Sequence, residues 1–312
     1  MTTMGELATG EFSHEALLYR DEAAYVQAIT TFAVDGVANG EPVALALPAD
    51  KLATVSRALG DTAREVELVN MSAAGRNPGA ILSGVLGAFA DSHRGRVRVV
   101  GEPIWPERSA VEYVAAVEHE ALINKAFAGK PAVILCPYDA TRLGRGVLDD
   151  AVATHPDLVD ETGRHHSTAY DPHAVIDGCN RPLPVPSSGP AFRFDLHTLA
   201  EARRFAIAHA ECLGAPRGRF EDIALVVGEL TANSVQHGGG TGTLCVWQEA
   251  STGAVVFQVD DSGCHTDLLA GRVPVPPDRI GGRGLLLVNR LADLVRTYRG
   301  AGHTATRVWF DR

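Results

Sequence analysis

The sequence predicts two domains of different architecture, a mostly parallel α/β domain followed by an α+β two-layer sandwich. Three observations lead there. Short apolar runs alternate with amphipathic helical periods as far as residue 153. A proline-rich stretch, residues 178–190, then breaks the pattern. Beyond it the order changes to two helices, two strands, an irregular stretch, a helix and two closing strands.

In the first half, residues 43–47 form a short buried strand stopped by Pro48, and residues 50–59 carry helical spacing. Residues 66–69 make the next strand. Residues 79–93 place Ile81, Val85, Leu86 and Phe89 on one helical face. A strand at 97–100, a long helix at 109–127, a strand at 132–135 closed by Cys136-Pro137 and a helix at 146–153 complete the series. This alternation implies a mostly parallel sheet with helices on both faces. The stretch 178–190 holds Pro182, Pro184, Pro186 and Pro190 with Ser187, Ser188 and Gly189. Proline fixes extended backbone, so the expected division is a domain at 1–178, a flexible linker at 179–190 and a domain at 191–312. In the second domain, helices are expected at 196–213, 220–237 and 284–294. Strands are expected at 242–249, 254–260, 295–298 and 304–310.

Composition narrows the function. The 312 residues are 46% hydrophobic and 21% charged, within the range of soluble globular proteins. A net charge of −10 gives no electrostatic footprint for nucleic acid. No apolar run is long enough to span a membrane, and residues 1–15 carry acids without an apolar core, unlike a signal peptide. The five cysteines, Cys136, Cys179, Cys212, Cys245 and Cys264, are odd in number and never two residues apart. Reduced thiols in a cytoplasm are expected, without a disulfide framework or zinc ribbon.

Chemistry concentrates in three C-terminal segments. Glu229 and Asn233 stand four apart, on one face of the 220–237 helix. Phosphoryl transfer needs a cation between phosphates, a group that orients or deprotonates the attacking oxygen, and donors for developing charge. Asn233 offers an oxygen for Mg²⁺, Glu229 a base, and His237 lies two turns beyond Glu229 on nearly the same face. Asp261 ends an alternating strand, with Gly263 beyond it to let backbone approach a ligand; its carboxylate can accept from an adenine amino group. Gly282, Arg283 and Gly284 precede Leu285 at a helix start, where bare N–H groups suit phosphate. Taken alone each segment reads as a solvated helix face or an ordinary turn; their order and spacing together make ATP with Mg²⁺ the expected ligand.

These segments resemble the N, G1 and G2 boxes of the gyrase–Hsp90–histidine kinase–MutL ATPase superfamily, whose domain is the Bergerat-type HATPase sandwich. The compact form, with Glu-Leu-Thr-Ala-Asn, Gly-Arg-Gly-Leu-Leu-Leu-Val and the closing Arg307-Val308-Trp309-Phe310, is most similar to anti-sigma regulatory factor serine kinases. That resemblance implies Glu229 as catalytic base, Asn233 as the Mg²⁺ ligand through ATP and Asp261 as the adenine reader. It implies Gly263, Gly282 and Gly284 as pocket formers, and Thr304 or Thr306 as the late threonine. It further implies phosphorylation of a STAS-type anti-anti-sigma partner that competes with a sigma factor, and a homodimer. Where the G1 box usually has its last glycine, this chain has His265. A histidine kinase would carry its phosphoacceptor on a long helix before the domain, and here the proline-rich stretch stands instead. The alternatives kept open are a non-catalytic, ATP-binding, sigma-sequestering module and an atypical histidine kinase.

The first half lacks the GxxxxGK[ST] phosphate loop. His14 with Leu18-Tyr19, Gly101-Glu102-Pro103 with Trp105, Glu120 with Asn124, Cys136-Pro137-Tyr138-Asp139 and His155-Pro156 resemble the MEDS sensory domain of the dichloromethane-operon regulator. The resemblance implies a degenerate RecA-like α/β domain used for sensing. His14, Trp105, Glu120, Asn124, Cys136 and Tyr138 are the sensory candidates, each with a plain structural reading beside it. His165, His166 and His173 fall in a loop-like run without a clear ligand set.

Overall fold

The structure, a computed structural model, describes residues 12–187, 189–275 and 281–311. Expectations that touch residues 1–11, Ser188, Pro276, Pro277 and Arg312 lie outside the described residues. The chain divides into two compact units, Met1–Cys179 and Asn180–Arg312.

The first unit is built in the order β1 (Ser13–Tyr19), α1 (Glu22–Ala38), β2 (Val43–Leu47), α2 (Ala49–Leu59), β3 (Glu67–Asn70), α3 (Met71–Ala74) and α4 (Pro78–Ile81). A π-helical turn, Leu82–Leu86, joins α4 to α5 (Gly87–Ser92). Then come β4 (Val97–Gly101), α6 (Ala110–Ala126), β5 (Ala132–Asp139), α7 (Arg145–Thr154), β6 (Asp157–Asp160), β7 (Gly163–His166) and α8 (Pro172–Cys179). The seven strands lie in the order β3-β2-β4-β5-β1-β6-β7, parallel except for the β6–β7 hairpin. All five residues of β2 are buried, as expected for a strand covered on both faces. A capping box between Ser109 and Glu112 starts α6, and the Asp21 carboxylate caps α1.

Several elements depart from expectation, and α1 and α8 were not foreseen at all. The strand at β1 went unforeseen because its first residues, Ser13, His14 and Glu15, are polar yet buried. The β5 strand runs through Cys136-Pro137 to Asp139 rather than stopping there. Proline is tolerated because pairing with β4 has ended at Leu135, while β1 stays paired to Asp139. His165 and His166 sit on β7 and His173 on α8, so that run is not a loop.

The second unit runs β8 (Ala191–Asp195), α9 (Leu199–Cys212), α10 (Phe220–His237), β9 (Thr241–Gln248), β10 (Val255–Asp261), α11 (Gly284–Leu291), β11 (Leu294–Gly300) and β12 (His303–Phe310). Its sheet is antiparallel, in the order β11-β12-β10-β9-β8. Phe257, Val259, Val308 and Phe310 share a core with Ile223, Val226, Val227 and Leu230 of α10. Alternation puts Gln258 and Arg307 on the other face. There the proline-rich segment is held in place. Gln258 donates to Leu183 O (2.9 Å) and Arg307 to Pro184 O (2.6 Å). Asn180 exchanges two hydrogen bonds with the Arg299 backbone.

Candidate functional site

In the second unit, α10, the end of β10, the start of α11 and β12 enclose a cavity of about 630 Å³. That volume suits a nucleotide-sized ligand. Asn233, His237, Asp261, Gly263, Gly282, Gly284, Leu285, Thr304 and Thr306 all line it. Glu229 and Arg283 are not among its walls. The Glu229 carboxylate instead lies against the α carbon of Gly284, filling the space a side chain there would need. Arg283 is the exposed N-cap residue of α11.

Asp261 is held at the centre. Its Oδ2 accepts from Ser234 Oγ at 2.6 Å, and its Oδ1 from the Gly263 N–H at 2.8 Å. Each carboxylate oxygen keeps a second lone pair for a ligand donor. Two glycines make this packing possible. A β carbon on Gly263 would stand 2.9 Å from Asp261 Oδ1, and one on Gly238 would meet the same carboxylate. Thr304 Oγ1 donates to Gly263 O at 3.0 Å, fixing the turn from β12, and Thr306 Oγ1 lies 3.4 Å from Thr297 Oγ1. At the mouth, Gly281 and Gly282 adopt φ of +82° and +79°, a conformation that favours glycine. His265 also lines the cavity. Burial, then the nearby Arg299 charge, holds its imidazole below the usual range. Ser234 and Gly238 escaped sequence reasoning. Serine one residue beyond Asn233 looks like any helix polar residue until β10 is placed beside it.

In the first unit, His14, Glu120, Cys136 and His155 converge with their ligand atoms all within 4.8 Å of one another. They come from β1, α6, β5 and the residue that ends α7. His14, Glu120 and His155 are 0% exposed and Cys136 1%. The Glu120 side chain is thus neither solvated nor at a helix surface. Asn124 is tied to this group, since its Oδ1 faces His14 Nδ1 at 3.1 Å. The Tyr138 ring meets the His155 ring edge-on, with centroids 5.5 Å apart. Burial, and then the neighbouring His155, push the His14 imidazole down to about 4. Burial and the Glu120 carboxylate push the Cys136 thiol well up, so it is protonated. Trp105 stands apart, stacked on the buried Arg108 guanidinium 3.9 Å from its ring centre.

Comparison with known proteins divides the chain in the same order. Residues 13–156 match the family described as MEDS, the methanogen/methylotroph, DcmR sensory domain. Residues 192–310 match the histidine kinase-like ATPase domain. The chain is a MEDS domain followed by a histidine kinase-like ATPase domain. A crystal structure of the RsbU and RsbW domains of a Mycobacterium tuberculosis protein aligns at 20% identity, with a TM-score of 0.29. The alignment covers 39% of this chain and 32% of that one, so this chain spans about a third of its length. No curated protein matches. The cavity belongs to the ATPase domain and the four-residue cluster to the MEDS domain. Among the described residues no helix is long and apolar enough to cross a membrane.

Proposed function

We propose that the ATPase domain binds ATP with Mg²⁺ and transfers its terminal phosphoryl group to a serine or threonine of a STAS-type anti-anti-sigma protein. In this reading the MEDS domain regulates the transfer, and a sigma factor competes with that partner for the ATPase domain. The observation that supports it is the convergence of Asn233, Asp261 and the Gly281–Gly284 turn on one nucleotide-sized cavity. The match to the histidine kinase-like ATPase domain and the resemblance of its compact motifs to anti-sigma kinases support the finer assignment.

The residues present fit such a ligand. Asp261, buttressed by Ser234 and Gly263, offers a carboxylate to an exocyclic amino group, and a β carbon at Gly238 or Gly263 would crowd that carboxylate. Asn233 offers a neutral oxygen toward Mg²⁺. The N–H groups at the start of α11, with its dipole, suit phosphate oxygens. ATP supplies the phosphoryl group. Glu229, one turn before Asn233, accepts the proton of the attacking hydroxyl. The test compares wild type with Glu229→Ala, using labelled ATP and STAS-type candidates. Transfer is expected to vanish while nucleotide binding persists; equal transfer by both proteins removes Glu229 as base.

One observation favours a second reading. Glu229 packs against Gly284 rather than lining the cavity, as suits a domain that holds ATP without using it and only sequesters a sigma factor. Partner phosphorylation by the wild type rejects that reading.

A further inference from the structure

We propose that the MEDS domain holds a divalent transition-metal ion of the zinc class, bound by His14 Nε2, His155 Nε2, a Glu120 carboxylate oxygen and Cys136 Sγ. Glu120 Oε2 lies 3.3 Å from His14 Nε2 and 3.2 Å from His155 Nε2, and Cys136 Sγ lies 3.4 Å from His14 Nε2. A tetrahedral site with metal–nitrogen bonds of about 2.0–2.1 Å and a metal–sulfur bond of about 2.3 Å places its ligand atoms at roughly these separations. Two imidazoles, one carboxylate and one sulfur form a ligand set that zinc-class ions accept.

The hydrogen bonds behind the histidines decide what their Nε2 atoms present. Asn124 Nδ2 donates to Thr154 O (2.7 Å) and to Ala121 O (3.2 Å). Its Oδ1 therefore faces His14 Nδ1 and accepts the proton there. His155 Nδ1 lies 2.8 Å from Ala151 O, a pure acceptor, so its proton is on that nitrogen. A neutral ring with its proton on Nδ1 turns a bare Nε2 lone pair into the cluster. The Cys136 thiol can donate to the His14 lone pair. Among the described residues, His155 Nε2 and both Glu120 oxygens are fully buried without a hydrogen bond of good geometry, although His155 Nε2 lies 3.2 Å from Glu120 Oε2. Lone pairs facing a carboxylate in a dry interior are costly unless a cation lies between them. A ring whose second nitrogen donates to a carbonyl is also the usual support for a metal-binding histidine.

Charge balance agrees. Binding breaks the Cys136 S–H bond, forms the sulfur–metal bond and sends the proton to solvent. A dication with one thiolate, one carboxylate and two neutral imidazoles sums to zero, so the buried site is electrically neutral. The ligands come from β1, α6, β5 and the end of α7, so the ion ties the centre of the sheet to helices beside it.

The test uses the full chain. Purified from zinc-replete cells, it is expected to carry one metal ion per chain by elemental analysis. After chelation, added Co²⁺ should give the strong visible bands of a four-coordinate ion and a sulfur-to-cobalt charge-transfer band in the near ultraviolet. Cys136→Ser should lose that band. Replacing Cys179, Cys212, Cys245 and Cys264 together by serine should keep it, which assigns the sulfur even if the single variant misfolds. Asn124→Leu leaves all four ligands in place and should weaken Co²⁺ binding about 10- to 100-fold. A folded wild-type chain that takes up neither Zn²⁺ nor Co²⁺ overturns the proposal. A Co²⁺ spectrum unchanged by Cys136→Ser in a folded variant overturns it as well.

Discussion

The Asp261 carboxylate depends on neighbours that the motif does not name. Ser234 Oγ donates to it over 2.6 Å, a short bond to an anion, worth about 1.5–3 kcal/mol in general. Ser234→Ala should therefore leave the fold intact and weaken nucleotide binding by roughly tenfold or more, read by calorimetry. Gly238→Ala is a different kind of change, because its methyl would collide with the same carboxylate and lie 2.7 Å from Ser234 O. Overpacking of that sort costs about 1–3 kcal/mol and should lower the ATPase-domain melting temperature even without ligand. A third substitution, Asn233→Ala, should reduce the gain in nucleotide affinity that Mg²⁺ provides. Unchanged affinity and metal dependence would remove Asn233 from the metal shell. What sequence carried at this scale was residue type at fixed spacing, as for Glu229, Asn233 and Asp261. What it could not carry was contact across 27 positions, as between Ser234 and Asp261.

Among the elements, α10 was the most legible, observed as Phe220–His237, because Ile223, Val226, Val227, Leu230, Thr231 and Ser234 repeat on one buried face. The strands that escaped, β1, β6, β7 and β8, carry buried or paired polar residues, and the helices α1 and α8 escaped with them. Period-2 alternation cannot reveal a strand whose His14 and Glu15 are both wholly buried. The end of β4 carries a related feature with a measurable consequence. Glu102 is buried, accepts from Tyr25 Oη at 2.8 Å and pairs with Lys51. Burial raises its carboxyl to about 7, against the lowering effect of Lys51. The folded state then binds a proton that the unfolded state releases near 4.5, so stability falls as pH rises from about 4.5 to 7. The full loss is on the order of 3 kcal/mol above that window. Urea unfolding of the MEDS-domain transition across this range should show the slope, and Glu102→Gln should flatten it. An equal slope in both proteins would show that another group carries the pH dependence.

For the whole molecule, the change of class between the two halves was readable because prolines cluster where one periodicity ends and another begins. The prolines did not reveal which half owns that segment. Proline fixes an extended backbone but leaves its carbonyls free to accept, and Leu183 O and Pro184 O do so from Gln258 and Arg307. Asn180 adds a reciprocal pair with the Arg299 backbone, and Pro190 O accepts from Val246 N at 3.1 Å. Arg307 also lies over the Trp247 and Trp309 rings, with its guanidinium carbon 4.9 and 5.7 Å from their centres. The outer face of the sheet is thereby covered by the segment that precedes it. We propose that the ATPase domain begins at Asn180 rather than at Ala191. Two fragments, 180–312 and 191–312, test this, because only the longer one keeps the four hydrogen bonds made by Asn180, Leu183 and Pro184. Four bonds at about 1 kcal/mol each, less the entropy of ordering the segment, should leave the longer fragment more stable by on the order of 1 kcal/mol. Its melting temperature should be a few degrees higher, at about 4 °C per kcal/mol for a domain of this size. Arg307→Ala in the longer fragment should remove part of that gain, since it cuts the bond to Pro184 O and exposes two tryptophan faces. Equal melting temperatures for the two fragments would mean that the segment lies on the sheet without stabilising it, and the boundary would move back to Ala191.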